Sequence, residues 1–244
     1  MARYQRIMAV GCTHGHLIHP KLRKQVLAFR KAFNPQIRVD LGDLIDTAAF
    51  RAGATGGHDE CEDPRPDANA AVEWLREYEP THIAWGNHCW RLWKLANHPK
   101  QIISVAASTL RKQLTDEATK LYAKTVPYHI RDWWHVIGGY YWGHGYMVNI
   151  QAVRDHAEML GGAVVMAHIH KPEMYVPRTI NARPSFCAGT LMDPRNAHYA
   201  EFRRATLQWA PGIVYGEVSD TDARLHLAMG SAWSDQINVP PGVL

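Results

Sequence analysis

Five of the fifteen histidines stand where short apolar segments end, in groups with cysteine, aspartate or asparagine. In chain order the groups are Cys12-Thr-His14, Gly42-Asp43, Gly86-Asn87-His88, Gly143-His144 and Ala167-His168-Ile-His170. These residue types suit a pair of cations. One carboxylate, Asp43, can bridge two ions while imidazoles and an amide oxygen fill the remaining positions. Two ions about 3.5–4 Å apart clamp a phosphate, lower the pKa of a shared water and stabilise an in-line transition state. Neutral imidazole with carboxylate suits Zn²⁺, Fe or Mn²⁺ better than Ca²⁺, which takes all-oxygen shells. Each group alone has an ordinary reading, since Gly-Asp is usually a turn. What sets them apart is that all five follow an apolar segment, in order.

Such side chains must be brought together by an α/β sheet, because the carboxyl ends of parallel strands converge on one crevice. Arg6–Val10, Ile37–Leu41, His82–Trp85 and Ala163–Ala167 read as strands, and Val136–Trp142 as a hairpin through Gly138-Gly139. Lys21–Phe33, Ala70–Tyr78 and Val153–Leu160 have helical spacing, and Trp90–Lys124 is mostly helix-compatible. The polar stretch 51–69, rich in Gly, Pro and acids, reads as an inserted loop near the cleft mouth. Beyond Pro172, short segments suggest hairpins in a second sheet packed beside the first, then a tail. The expectation is one domain over 1–244, with a motif-bearing core of about 6–190 and hairpins and tail over about 191–244.

Composition narrows the classes. The chain has 244 residues, 46% hydrophobic and 20% charged, enough apolar content to bury a core and too much for wholesale disorder. The 27 Lys+Arg and 23 Asp+Glu leave a net charge of +4, with the basic residues scattered. That balance does not indicate a nucleic-acid groove and is compatible with a small anionic substrate. Apolar runs are too short for a membrane span or a secretory leader. Cysteines at 12, 61, 89 and 187 form no close pair, so a reduced, cytoplasmic setting is expected.

The ordered set resembles the calcineurin-like metallophosphoesterase superfamily, whose pattern is Asp-x-His, Gly-Asp, Gly-Asn-His-(Asp/Glu), His and Gly-His-x-His. The resemblance spans about residues 6–190. It implies a four-layer α/β/β/α sandwich with a dinuclear site between the sheets. Carried over motif by motif, Cys12, His14, Asp43 and His170 would hold the first metal. Asp43 as bridge, Asn87, His144 and His168 would hold the second. His88 would contact the phosphate and stabilise the transition state or protonate the leaving oxygen, with a metal-bridging hydroxide as nucleophile.

Two positions depart from the pattern. Cys12 replaces the first aspartate, as in phosphoesterases of phage or prophage type, which this chain is similar to there. A thiolate keeps the formal charge but binds at about 2.3 Å through one atom and prefers softer ions, which predicts a shift from Mg²⁺ or Mn²⁺ toward Zn²⁺ or Fe. Cys89 replaces the acid after Gly-Asn-His and reads as a buried thiol at a helix start. Asp46 is a candidate hydrogen-bond partner for a ligating histidine. His16 reads as a loop histidine. Trp90 and Trp93 read as core, Arg203-Arg204 as a solvated pair, and Arg51, Arg91 and Arg195 as unplaced candidates for phosphate contact.

The function expected is a metal-dependent phosphoester hydrolase acting on a small phosphoester. It leans to diesters because no basic cluster adjoins the motifs. The alternatives are a phosphomonoesterase, a nuclease-type phosphodiesterase, and a catalytically degenerate scaffold of the same fold, the last suggested by the two cysteine exchanges.

Overall fold

The computed structural model describes residues 3–51, 54, 56–129, 133–200 and 203–240. The first part of the chain alternates strand and helix: β1 (Gln5–Val10), α1 (Pro20–Phe33), β2 (Ile37–Asp40), α2 (Pro64–Tyr78) and β3 (His82–Ala84). Two helices follow, α3 (Asn87–Leu95) and α4 (Gln101–Lys120), and then β4 (Lys124–Val126), β5 (His135–Ile137) and β6 (Tyr140–Trp142). The remainder is α5 (Ala152–Leu160), β7 (Val164–Met166), β8 (Pro172–Tyr175), β9 (Ser185–Ala188), β10 (Gly212–Val218) and β11 (Ala223–Met229).

The strands form two sheets, one of six strands in the order β11-β10-β1-β2-β3-β4 and one of five in the order β5-β6-β7-β9-β8. β1 to β4 run parallel in the first, and β6, β7 and β9 run parallel in the second. Side-chain alternation along a strand explains the layering. Met8 and Val10 face the helices, whereas Ile7 and Ala9 face the other sheet, and all four are fully buried. Between the sheets Ile7, Val39 and Leu41 meet Trp142, Val165 and Phe186. On the outer face of the first sheet lie α1, α2 and α4, packed through Leu22, Val26, Phe29, Trp74, Leu75 and Leu114. On the outer face of the second, α5 packs Val153 and Ala157 against Val164 and Met166. This is the four-layer α/β/β/α sandwich expected.

Two expectations change. α2 starts at Pro64, ahead of the expected Ala70, because the Asp63 carboxylate caps it by accepting the Arg65 N–H and Pro64 occupies the first helical position. The 51–69 loop is shortened accordingly, and residues 52, 53 and 55 lie outside the described residues, as do 241–244 of the tail. The last hairpin belongs to the first sheet. β10 pairs antiparallel with β1 from Gln5↔Val218 to Ala9↔Val214, and it is buried on both faces, Ile213 toward the helices and Val214 toward the second sheet.

Register then positions the chemistry. Val10 pairs with Asp40, and Asp40 with Ile83, so the segments after β1, β2 and β3 leave the sheet at one level. Trp142 pairs with Val165 and Val165 with Phe186, which does the same for the second sheet. Among the described residues, no helix is long and apolar enough to cross a membrane.

Candidate metal centre

Every expected ligand lies just past a strand end. Cys12 and His14 follow β1, Asp43 follows β2, and Asn87 with His88 opens α3. His144 follows β6, and His168 and His170 follow β7. Cys12, His14, Asp43, His144 and His170 are buried, while Asn87, His88 and His168 are half-buried. The backbone turns through the left-handed region at Cys12 (φ 53°), His14 (52°), Asp43 (52°), His168 (70°) and His170 (58°). Such conformations are costly for residues with a Cβ and gather at functional sites. Gly86 permits the close approach to Asp43, since a Cβ there would sit 2.1 Å from Asp43 Oδ1.

The side chains meet in two overlapping sets. His144 Nε2 is 3.1 Å from Asp43 Oδ2, 3.1 Å from Asn87 Oδ1 and 3.1 Å from His168 Nδ1. On the other side, His14 Nε2 is 3.0 Å from His170 Nε2 and 3.9 Å from Asp43 Oδ2. Asp43 therefore faces both sets. The Cys12 donor lies within 4.8 Å of those of His14 and His170, and equally of those of Asp43 and His144. Its Sγ also accepts the His168 N–H at 3.3 Å. Cys12 is thus within reach of both sets, where the sequence placed it with one.

Proton accounting tells what the sets can hold. His14 Nδ1–H donates to Asp46 Oδ1 at 2.7 Å, and His144 Nδ1–H donates to the Leu41 carbonyl at 2.8 Å. These partners fix the tautomers and turn both Nε2 lone pairs inward. His144 Nε2 then meets a carboxylate oxygen and an amide oxygen, neither with a proton to give. The Asp43 carboxylate, the Asn87 oxygen and the His144 lone pair thus face one point, an arrangement that a cation at the centre satisfies. Burial, followed by the charge of His144, pushes the His168 pKa down to about 3. Burial, followed by His14, holds His170 well below the usual imidazole range. Both rings are neutral near pH 7 and free to ligate, and the buried His170 Nδ1 has no hydrogen-bond partner. Burial opposes ionisation of Asp43, but His144 and His88 overcome it and hold its carboxyl well below the usual range. Burial and then Asp43 raise the Cys12 thiol well above its usual value, so only an adjacent cation would make it a thiolate. The donor set fits divalent cations of the Zn²⁺, Fe or Mn²⁺ kind.

Asp46 is the partner the sequence suggested. His14, Asp46 and His88 also lie close enough to hold an ion, but their Nδ1 atoms carry protons bound to Asp46, so this is a hydrogen-bond network. His88 Nδ1–H donates to the Asp46 carbonyl at 2.7 Å and lies 3.1 Å from its carboxylate. The His88 backbone N–H donates to Asp43 Oδ1 at 2.8 Å, using the free donors of a helix N-terminus. Burial works against protonation of His88, but Asp43 and Asp46 outweigh it and raise its pKa.

Other candidates separate. His16 sits 3.5 Å from Asp67, and Arg195 binds Asp193 and His19, both away from the metal sets. Cys89 is buried in α3, where its sulfur accepts the Leu44 N–H at 3.3 Å. Trp90 and Trp93 stack on one another beside Trp85. Three contributors escaped the sequence. Tyr199 donates its hydroxyl to Asp46 Oδ1 at 3.0 Å, and Asp67 accepts the Asp46 and Thr47 N–H groups, with nothing in the sequence to mark either. The Leu41 carbonyl that orients His144 is backbone and leaves no trace in residue type.

No family model matches the chain, and none of the curated proteins does. Among solved structures, the chain is similar to a metallophosphoesterase from Sphaerobacter thermophilus at 15% identity and TM-score 0.47, covering 92% of this chain and 88% of that one. It is similar to Vacuolar Protein Sorting 29 from Cryptosporidium parvum at 13% identity and TM-score 0.48, covering 97% and 96%. It is similar also to YfcE, a phosphoesterase from E. coli, at 15% identity and TM-score 0.40, covering 93% and 99%.

Proposed function

We propose that the chain is a metal-dependent phosphoester hydrolase whose centre takes two divalent cations. One observation carries the reading: Asp43 faces two converging sets of buried or half-buried donor groups, His14 with His170 on one side and Asn87 with His144 and His168 on the other. Cys12, His14, Asp43 and His170 would hold one cation, and Asp43, Asn87, His144 and His168 the other. When bound, the cations supply positive charge to the phosphoryl oxygens and lower the pKa of water.

The chain's own residues do the rest. Asp46 and the Leu41 carbonyl hold the His14 and His144 rings so that Nε2 faces the centre. His88, with Nδ1 committed to Asp46 and its pKa raised, carries a proton on Nε2 for the leaving oxygen. The preference for diesters rests on the absence of a basic cluster beside the motifs in the sequence. Arg91, bound to the Asp46 and Thr47 carbonyls, is one cation that stands beside them.

The test is metal analysis of the purified chain, followed by assays of 4-nitrophenyl phosphate and bis(4-nitrophenyl) phosphate with Mn²⁺, Zn²⁺, Fe²⁺ and Mg²⁺ after chelation. Turnover that chelation abolishes and one of these ions restores supports the reading. Bound metal without turnover under any ion rejects it. Well under one ion per chain and no turnover favours the scaffold alternative.

A further inference from the structure

The surroundings of His88 gather cations that metal binding does not use. Arg91 follows His88 by three residues on α3, so both side chains leave the same face of the helix. Its Nη1 donates to the Asp46 carbonyl at 3.1 Å, the Thr47 carbonyl at 2.7 Å and Thr47 Oγ1 at 2.9 Å. These are neutral oxygens, and the first is the one that holds His88 Nδ1. Tyr199 stands alongside, its ring 6.3 Å from that of His88. The guanidinium carbons of Arg51 and Arg203 lie 5.5 and 5.6 Å from the Tyr199 ring centroid. Arg51 is paired with Asp59, whereas Arg203 is exposed. Burial lowers the pKa of the partly buried Arg91 against the opposing pull of Asp46 and Asp43, and the neighbouring charge of Arg51 adds a smaller lowering. Like charges drawn together around one tyrosine raise the local potential and favour an incoming anion.

We propose that Arg91, Arg203 and Arg51 around Tyr199 form a second anion subsite, so that the preferred substrate carries a phosphate in addition to the ester that is cleaved. The identity of the cleaved group rests on the hydrolase reading; the anion subsite does not. A guanidinium presents paired donors that match two phosphate oxygens. Arg91 lies three residues, ~4.5 Å along the helix axis, from His88. The second phosphate therefore sits a few bonds from the first, as in a bisphosphate or a diphosphate, and a simple aryl ester leaves the subsite empty.

Two measurements test this. In the first, calorimetry follows inorganic pyrophosphate binding to metal-stripped protein at low salt. Wild type binds, and Arg203→Gln and Arg91→Gln each bind at least about tenfold more weakly, the scale of losing a charge-assisted contact. No binding by wild type, or equal binding by both variants, overturns the proposal. Arg91 also braces the Asp46–Thr47 backbone, so its variant is first checked by melting temperature, and Arg203→Gln, on an exposed side chain, keeps the test open if it unfolds. The second measurement is the ratio of kcat/KM for a nucleoside 3′,5′-bisphosphate to that for 4-nitrophenyl phosphate. A fall of about tenfold or more in Arg203→Gln supports the subsite, and an unchanged ratio overturns it. If neither substrate is turned over, the hydrolase reading fails and pyrophosphate binding alone decides on the subsite.

Discussion

Replacing Asp46 by asparagine separates the support of the metal centre from the ligands themselves. The carboxylate is 1% exposed, and its Oδ1 takes His14 Nδ1–H at 2.7 Å, Tyr199 O–H at 3.0 Å and the His88 Nδ1 contact at 3.1 Å. Burial alone would push this carboxyl up, but the His14 and His88 imidazoles hold it well below the usual range. Asparagine can keep an oxygen at the Oδ1 position, yet it removes the charge and places an NH₂ where the buried Oδ2 has no partner. A bond to a charged group contributes about 1.5–3 kcal/mol and a neutral one about 0.5–1.5, so the His14 contact loses roughly 1 kcal/mol or more. Losing the partner of a metal-ligating histidine typically lowers metal affinity about 10–100-fold, equivalent to ~1.4–2.7 kcal/mol, which agrees in scale. The unpaired NH₂ separately destabilises the fold by about 1–3 kcal/mol. Zn²⁺ titration of stripped protein against a competing chelator reads the first effect, and urea unfolding in excess chelator reads the second. Unchanged Zn²⁺ affinity beside lowered stability would make Asp46 a structural residue only and refute the reasoning.

Asp43→Ala removes the oxygen common to both sets, so elemental analysis should find both positions depleted; one full equivalent remaining would contradict a shared ligand. His88→Ala should leave metal content intact while turnover falls about 10²–10³-fold, the scale of losing one transition-state donor, and a loss of metal would place His88 among the ligands. Cys12→Asp should keep the fold and extend activity to Mg²⁺ and Mn²⁺, whereas Cys12→Ala with unchanged metal content and rate would show that sulfur is no ligand. Asp40, fully buried at the end of β2, has its pKa raised to about 7 from 3.8, chiefly by burial. The folded chain holds this proton up to about pH 7 and the unfolded chain releases it near 3.8, so Asp40 makes stability fall between about pH 4 and 7, by up to ~4 kcal/mol. In urea unfolding of metal-stripped protein, the stability of wild type relative to Asp40→Asn should decline over that window, and a constant difference would rule this out.

Strand ends were legible because they are local. An apolar run followed by glycine and a polar residue marks the end of a strand wherever its partners lie, and Gly42-Asp43, Gly86-Asn87-His88 and Gly143-His144 are of this kind. The start of α2 was equally local, in Asp63-Pro64, but the polar surroundings of the 51–69 loop masked it. The place of β10 depended on pairing with β1 across some two hundred residues, and nothing in Gly212–Val218 distinguishes a central strand of the first sheet from one of the second. Arg91 is a candidate for phosphate contact on sequence alone, and its i+3 spacing from His88 on a helix could have placed it on the same face. Arg51, a candidate too, could not be placed, nor could Arg203 and Tyr199, because their meeting is a product of tertiary structure alone.

The conformation of the ligand loops was the least legible feature. Left-handed backbone is signalled in sequence by glycine or asparagine, yet here it falls on Cys12, His14, His168 and His170. Each such residue costs about 1–3 kcal/mol, so their sum with Asp43 is comparable to the whole net stability of a domain. It is tolerated because each loop is anchored on both sides. Cys12 N–H donates to the Gly42 carbonyl, His14 N–H to that of Asp43 and Ala167 N–H to that of His144, at 2.8, 2.8 and 3.2 Å. The β1 loop is thus tied to the β2 loop, and the β6 loop to the β7 loop, by main-chain bonds that any residue type but proline could donate. Residue types specify which donors arrive at the centre; the backbone ties between strand ends, supported by fully buried Val10, Leu41 and Ala167 behind them, specify where. A substitution that loosens those ties without touching a ligand should therefore disperse the donors as effectively as removing one.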